Sequence, residues 1–265
     1  MKKFSALFFV SLSIAAQAHV PFLKPNQFDV QHDRLQIESS FTEFPFQADF
    51  AMDTPNFVLV KPDGTEQALT PTAKTRAAVY LEPQLQTPGS YRISTGVRKG
   101  PNYQAIETAQ SKLYFADDMK RVVGKPTTMQ YYNRADAYIF KDDASYSPRP
   151  FKQGAEIIPL SSPHRLHRGD KLSMQVLKDG LAAANARIIV VADGEHFKMP
   201  RTGDLYDVEN IRSSNIVTDA QGRFEFSPQT AGLNYLFVTL HDKTSAGTWV
   251  SQNAGLTLEV LPPRP

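Results

Sequence analysis

Short runs rich in Val, Ile, Tyr and Phe, each closed by Pro, Gly or Asp, recur along almost the whole chain. In the first half they read "RLQIESSF", "NFVLVKPDG", "AAVYLE", "GSYRISTGV" and "KLYFAD". In the second half they read "AEIIPL", "DKLSMQVLKDG", "ARIIVVADG", "IVTDAQGRFEFSP", "NYLFVTLHD" and "GLTLEVLPP". Runs of this kind, with little helical periodicity between them, predict strands. Lys61-Pro62-Asp63-Gly64 and Thr87-Pro88-Gly89 supply turns, since glycine reaches positive φ without steric cost. Asp219-Ala220-Gln221-Gly222 lies between two such runs and predicts a hairpin turn. The polar, proline-containing segment 138–153 predicts a linker or long crossover, with a boundary near residue 150. The expected architecture is therefore all-β, with two immunoglobulin-like β-sandwich domains in tandem over residues 19–150 and 151–265. The stretch "DMKRVVGKPTTMQYYNRADAY" reads as strand, short helix or both.

Residues 1–18 carry the pattern of an export signal. Lys2 and Lys3 form a charged start, Phe4 to Ala16 an apolar run, and Ala16-Gln17-Ala18 a small-x-small cleavage site. The expected location is the periplasm of a Gram-negative bacterium, with cleavage after Ala18. With Lys2 and Lys3 removed from the 29 basic residues, the remainder equals the 27 acidic ones. A neutral mature chain argues against nucleic acid or an anionic membrane surface as partner. The chain has no cysteine, which excludes thiolate metal sites, iron–sulfur clusters, thiol catalysis and a lipoprotein anchor. No second apolar run approaches the ~20 residues needed to span a bilayer, so a soluble protein is expected.

Cleavage after Ala18 makes His19 the first residue of the mature chain. An amino-terminal histidine offers its α-amine and ring Nδ1 from one residue, closing a six-membered chelate. In model peptides such amines titrate near pH ~8 and imidazoles near ~6.5, so a divalent metal displaces few protons at neutrality. Nitrogen donors of this type suit Ni, Co, Cu and Zn, with affinity rising toward copper. Pro21 has no backbone N–H, so the chain cannot wrap an ion in successive deprotonated amides. No histidine stands at the third mature position either, so further ligands have to come from elsewhere in the fold.

His241, at the end of the run "NYLFVTL", is the first choice of partner, with Asp242 either ligating or orienting its ring. An exposed strand end is the alternative. His196, beside Glu195 near a turn, is a further candidate, with simple exposure as the competing reading. His164 and His167 have H-x-x-H spacing, but Pro163 and Gly169-Asp170 flank them, so they read as a surface loop rather than one helix face. His32 could reach His19 only by a fold-back of the intervening segment. Asp117-Asp118 and Asp142-Asp143 read as solvated turns. Glu43 sits among Phe41, Phe44, Phe46 and Phe50, which read as packing beneath a solvated edge, and Trp249 also reads as structural.

The second half has a spaced pattern: Glu156 to Pro159, Gly169-Asp170, Asp179-Gly180, the small residues Ala182 to Ala184, and Thr-Asp-x-x-Gly-x-Phe at Thr218 to Phe224. Together with His19-Val20-Pro21-Phe22, it resembles a family of exported bacterial proteins carrying a domain of unknown function. Several members of that family accompany nickel or cobalt uptake systems as their periplasmic component. The resemblance implies capture of a divalent transition metal, with Ni or Co favoured, and a membrane metal transporter component as partner. Ligand chemistry alone favours copper, and zinc is compatible with both.

No G-x-S-x-G, H-E-x-x-H, Walker loop or dinucleotide fingerprint occurs, so a binding protein without catalytic activity is expected. One enzymatic alternative is a copper-dependent polysaccharide monooxygenase-like protein, which would use His19, His241 and an aromatic residue. Another alternative is a metal-independent envelope interaction module that grips its partner through a sheet edge.

Overall fold

The computed structural model describes residues 19–115, 119–120, 122–197 and 216–264; the side chain of His196 also lies outside that description. The expected export signal and Asp117-Asp118 fall outside it as well. The fold is all-β and sandwich-like, consistent with an immunoglobulin-like arrangement.

Its spine is a long sheet built on β12 (Lys125–Lys141), most of which falls in the stretch whose sequence read as strand, short helix or both. On one side β12 pairs in parallel with β20 (Trp249–Leu261), which in turn pairs antiparallel with β19 (Gly232–Lys243) and through it with β17 (Ile188–Ala192). On the other side it pairs with β9 (Gly89–Ser94) and then β5 (Val58–Val60) and β6 (Glu66–Ala68). β10 (Arg98–Glu107) and β11 (Leu113–Phe115) extend the sheet beside the start of β12, while the short strands β2 (Asp29–Val30) and β14 (Leu166–His167) pair in parallel with the ends of β12 and β20. Hydrogen bonding thus runs without a break between strands on either side of residue 150.

Two smaller sheets cover this spine. One comprises β1 (Val20–Pro25), β3 (Ile37–Thr42), β4 (Phe50–Ala51), β7 (Ala73–Lys74) and β8 (Val79–Leu81). The other comprises β13 (Ala155–Pro159), β15 (Leu172–Lys178), β16 (Leu181–Ala182) and β18 (Arg223–Phe226). Because successive strand residues face opposite ways, β12 serves two cores. Ala135, Ala137 and Ile139 pack with Leu23, Ile37, Leu59 and Tyr91. Tyr138 and Phe140 pack with Ile157, Val176, Leu236 and Leu256.

The β1 strand also joins the halves. Val20 and Phe22 pack against Tyr235 and Phe237 of β19, and the Tyr235 hydroxyl donates to the Pro21 carbonyl. Gly255 makes that reach possible, because a Cβ there would collide with the Tyr235 hydroxyl and ring. The sequence-predicted turns form as expected. At Asp219–Gly222 the Asp219 side chain accepts the Gln221 and Arg223 N–H groups at 2.9 and 2.8 Å, and Gly222 takes φ 70°.

Candidate functional site

His19 lies immediately before β1, and strand register decides its neighbours. Val20 is opposite Thr42, so one step further back His19 stands against Glu43, the first residue of the β3–β4 loop. That loop is tied internally. Asp49 N–H donates to the Phe41 carbonyl at 3.0 Å, and the Asp49 carboxylate accepts the Glu43 N–H at 2.8 Å. Phe46 buries itself against Phe22 and Tyr235, pinning the loop to the core. As a result both carboxylates face the ring: His19 Nε2 is 3.9 Å from Glu43 Oε1 and 3.8 Å from Asp49 Oδ2. Phe50 stands edge-on to the imidazole, with centroids 4.8 Å apart, and is itself 56% exposed. The His19 side chain is 12% exposed, so it is seated rather than loose.

The two carboxylates lie on the Nε2 side of the ring, whereas an α-amine chelate uses Nδ1. A carboxylate that receives Nε2–H fixes the tautomer and orients the ring, the usual arrangement behind metal-bound histidine. At 3.8–3.9 Å the contact is electrostatic rather than a hydrogen bond. Among the described residues no group of three or more His, Asp or Glu side chains is arranged to hold an ion.

His241 and Asp242 stand elsewhere. They line a cavity of about 560 Å³ with Lys178 and the loop from Ala183 to Arg187, none of which borders His19. His241 is six residues beyond Tyr235 on β19, about 20 Å along the strand. Both its ring nitrogens are buried without a hydrogen-bond partner, and burial pushes its pKa down to about 4, against a smaller opposing effect of Asp242. The orienting role expected of Asp242 does not form. Adjacent strand residues point to opposite faces, and Asp242 instead pairs with Lys178. His196 lies in the 3-10 turn Glu195–Phe197. His164 faces Asp29 at 3.6 Å and packs on Phe140, His167 Nδ1 lies 2.6 Å from the Pro262 carbonyl, and His32 Nδ1 accepts the Arg34 N–H within its own turn.

A second polar cluster, which sequence reasoning missed, sits deep between the halves. Arg92 on β9 is paired in register with Tyr138 on β12, so its guanidinium reaches the neighbouring same-face residue, Asp136. Arg92 Nη2 donates to Asp136 Oδ2 and to Glu156 Oε2, both at 2.9 Å. Arg92 Nη1 donates to the Arg149 carbonyl at 2.9 Å, and Phe151 stacks beneath the guanidinium at 4.3 Å. Glu156 also accepts the Phe151 and Lys152 N–H groups at 2.9 and 2.7 Å. Burial works to lower the Arg92 pKa, but the facing Asp136, Tyr138 and Glu156 outweigh it and hold it above the usual arginine value. The expected linker is thus anchored at Arg149, Phe151 and Lys152.

Comparison with known families decides the affiliation. A family described as "Domain of unknown function (DUF4198)" matches residues 16–243, most of the chain. The chain belongs to this DUF4198 family. No curated protein matches it. Among solved structures, a tetra-tandem repeat from the extending region of a large adhesion protein is 11% identical, with 91% of this chain and 50% of that one covered and a TM-score of 0.22. This chain thus spans half the length of that structure. Mouse protocadherin-24 EC1-3 is 10% identical over 92% of this chain and 71% of that one, with a TM-score of 0.18.

In this DUF4198 member the spaced residues of the second half have structural roles. Glu156 is the buried acceptor of the charge cluster. Asp170 accepts the His167 N–H at 3.0 Å and Arg264 at 3.1 Å. Asp179 ties Gly154 to Gln252. Thr218 donates to the Ala183 carbonyl and accepts the Ala186 N–H, which pins the small-residue loop.

Proposed function

We propose that this protein is exported to the periplasm, where the histidine that begins its mature chain captures a divalent transition-metal ion for an envelope uptake system. The observation that carries the reading is the seating of His19: its ring rests on Phe50 while its Nε2 faces Glu43 and Asp49. Carboxylates on that nitrogen present Nδ1, together with the α-amine, as the chelating pair. An amine–imidazole pair with its remaining coordination positions left to water or a partner suits an ion that must be released again. Nickel or cobalt follows from the resemblance to uptake-associated proteins, copper from the preference of nitrogen donors, and zinc is compatible with both. The bound ion is cargo, and no catalytic step is assigned to the chain.

The test is calorimetric titration of Ni²⁺, Co²⁺, Cu²⁺ and Zn²⁺ into protein confirmed by mass spectrometry to begin at His19. One saturable site for at least one ion is expected. Absence of saturable binding for all four would remove the reading and favour the metal-independent interaction module.

A further inference from the structure

Two strands separate at one edge of the long sheet. β19 is 12 residues long, and β20 pairs with it along that whole length. β17 covers its other side only from Asn234 to Val238. Before Ile188 the chain peels away from β19: Ile188 N–H donates to the Ile216 carbonyl and Thr218 N–H to the Ala186 carbonyl, both at 3.0 Å. Asn185 turns the chain at φ 57°, and Thr218 Oγ1 holds the turn by accepting the Ala186 N–H at 2.8 Å. The fork so formed is the cleft of about 560 Å³ between the 183–187 loop and residues 239–242.

Strand alternation fixes what β19 offers to this cleft. Asp193 N–H donates to the Leu233 carbonyl at 2.8 Å. The odd-numbered residues of β19 therefore direct both N–H and C=O toward β17, and the even-numbered ones toward β20. Beyond Val238 the same alternation aims the backbone N–H and C=O of Thr239 and His241 into the cleft, where no strand pairs with them among the described residues. An open ladder of this kind is a template for an added strand. Ala183 and Ala184 on the facing loop leave room for the side chains of such a strand. That loop stands across the opening, so the cleft admits a single extended chain rather than the edge of a second folded sheet. The charged residues lining it are Lys178, Arg187 and Asp242, two cations to one acid.

We propose that this fork binds an extended peptide segment of a partner protein, added to β19 as a short strand that carries an acidic side chain toward the cationic lining. Affinity comes from the backbone groups of Thr239 and His241, and the acidic side chain supplies selectivity. The His241 ring takes no part, since both its nitrogens are buried. The site is independent of His19.

The experiment is an NMR titration of the mature protein with an acetylated, amidated pentapeptide of sequence Val-Thr-Glu-Thr-Val. The Thr239 and His241 amide signals are read, together with their rates of hydrogen exchange. Saturable movement of both signals and slowed exchange of both amides are expected. The same peptide methylated on every peptide nitrogen keeps its side chains but cannot donate to the ladder, and should bind at least about tenfold more weakly. A peptide with lysine in place of the glutamate should also bind more weakly. Ala184→Trp fills the cleft from its exposed rim and should weaken binding of the parent peptide about tenfold or more. No saturable movement, equal binding of the methylated or lysine peptide, or binding unchanged by Ala184→Trp would overturn the proposal. Concentration-dependent movement of the same two amides without peptide would overturn it too, in favour of a second copy of this chain.

Discussion

The Arg92–Asp136–Glu156–Arg134 cluster and the His19–Glu43–Asp49 corner each set a nitrogen cation or base against two carboxylates, but under opposite conditions. In the first cluster every side chain is at most 3% exposed, and Arg92 meets its carboxylates at 2.9 Å. In the second, exposure rises from 12% at His19 to 28% at Glu43 and 41% at Asp49, and the nitrogen–oxygen separations are 3.8 and 3.9 Å. Buried charges persist when paired and hydrogen-bonded, and the acids of the first cluster are engaged by Arg92 and by the Phe151 and Lys152 N–H groups. The second keeps its groups aligned at longer range and closer to solvent. The contrast separates polar groups that hold the halves together from polar groups that the proposed reading assigns to an incoming ion.

The contrast is most sharply broken at Glu156. Glu156→Ala leaves Arg92 and Arg134 buried with one fewer carboxylate and strands the Phe151 and Lys152 N–H groups. A loss of about 3–5 kcal/mol in urea unfolding is expected, with metal binding at His19 unchanged wherever the variant is folded.

Acid should expose a second buried weakness, at His241. In the folded protein its ring protonates only near pH 4, against 6.5 when unfolded. Between those values the unfolded chain holds the extra proton. The stability present above pH ~6.5 should therefore fall as pH is lowered toward 4, by up to about 3 kcal/mol. Unfolding curves across this range, compared with those of His241→Gln, should show that slope in the parent and lose it in the variant.

The open corner should respond in the reverse sense. Glu43→Gln with Asp49→Asn removes the charges behind the imidazole and should weaken metal affinity about 10- to 100-fold. The same pair should alter unfolding free energy by no more than about 0.5 kcal/mol, as for other exposed sites. A large loss of stability with unchanged affinity would erase the distinction between the two regions.

Much of the fold was legible because strand runs and turn residues carry local signals. The runs around Ile37, Tyr91, Ile157, Val176 and Leu236 all form strands, and the turn at Gly222 lies where its sequence places it. β12 was not legible. Arg134 and Asp136 alternate with Ala135 and Ala137, a pattern that normally means one wet face, and only Arg92 and Glu156 from distant strands seal that face. The crossover looked like a linker for the same reason, since the partners of Arg149 and Phe151 are remote in sequence. At His19 the proposed amine–imidazole chelate was readable from the sequence, but the two carboxylates beside the ring were not. Glu43 comes opposite His19 through the Val20–Thr42 register, and Asp49 through the loop that returns to Phe41. His241-Asp242 suggested a pair through adjacency alone, and strand geometry turns the two apart.

The most direct test of the central claim compares the protein beginning at His19 with a version carrying one extra alanine before it. The extension preserves the ring, Glu43, Asp49 and Phe50, but converts the chelating amine into an amide. Calorimetric titration with the tightest-binding of Ni²⁺, Co²⁺, Cu²⁺ and Zn²⁺ should show a saturable site in the first protein, and at least about a hundredfold weaker binding in the second. Equal binding by both would contradict the account, because the position of His19 at the start of the chain would then contribute nothing.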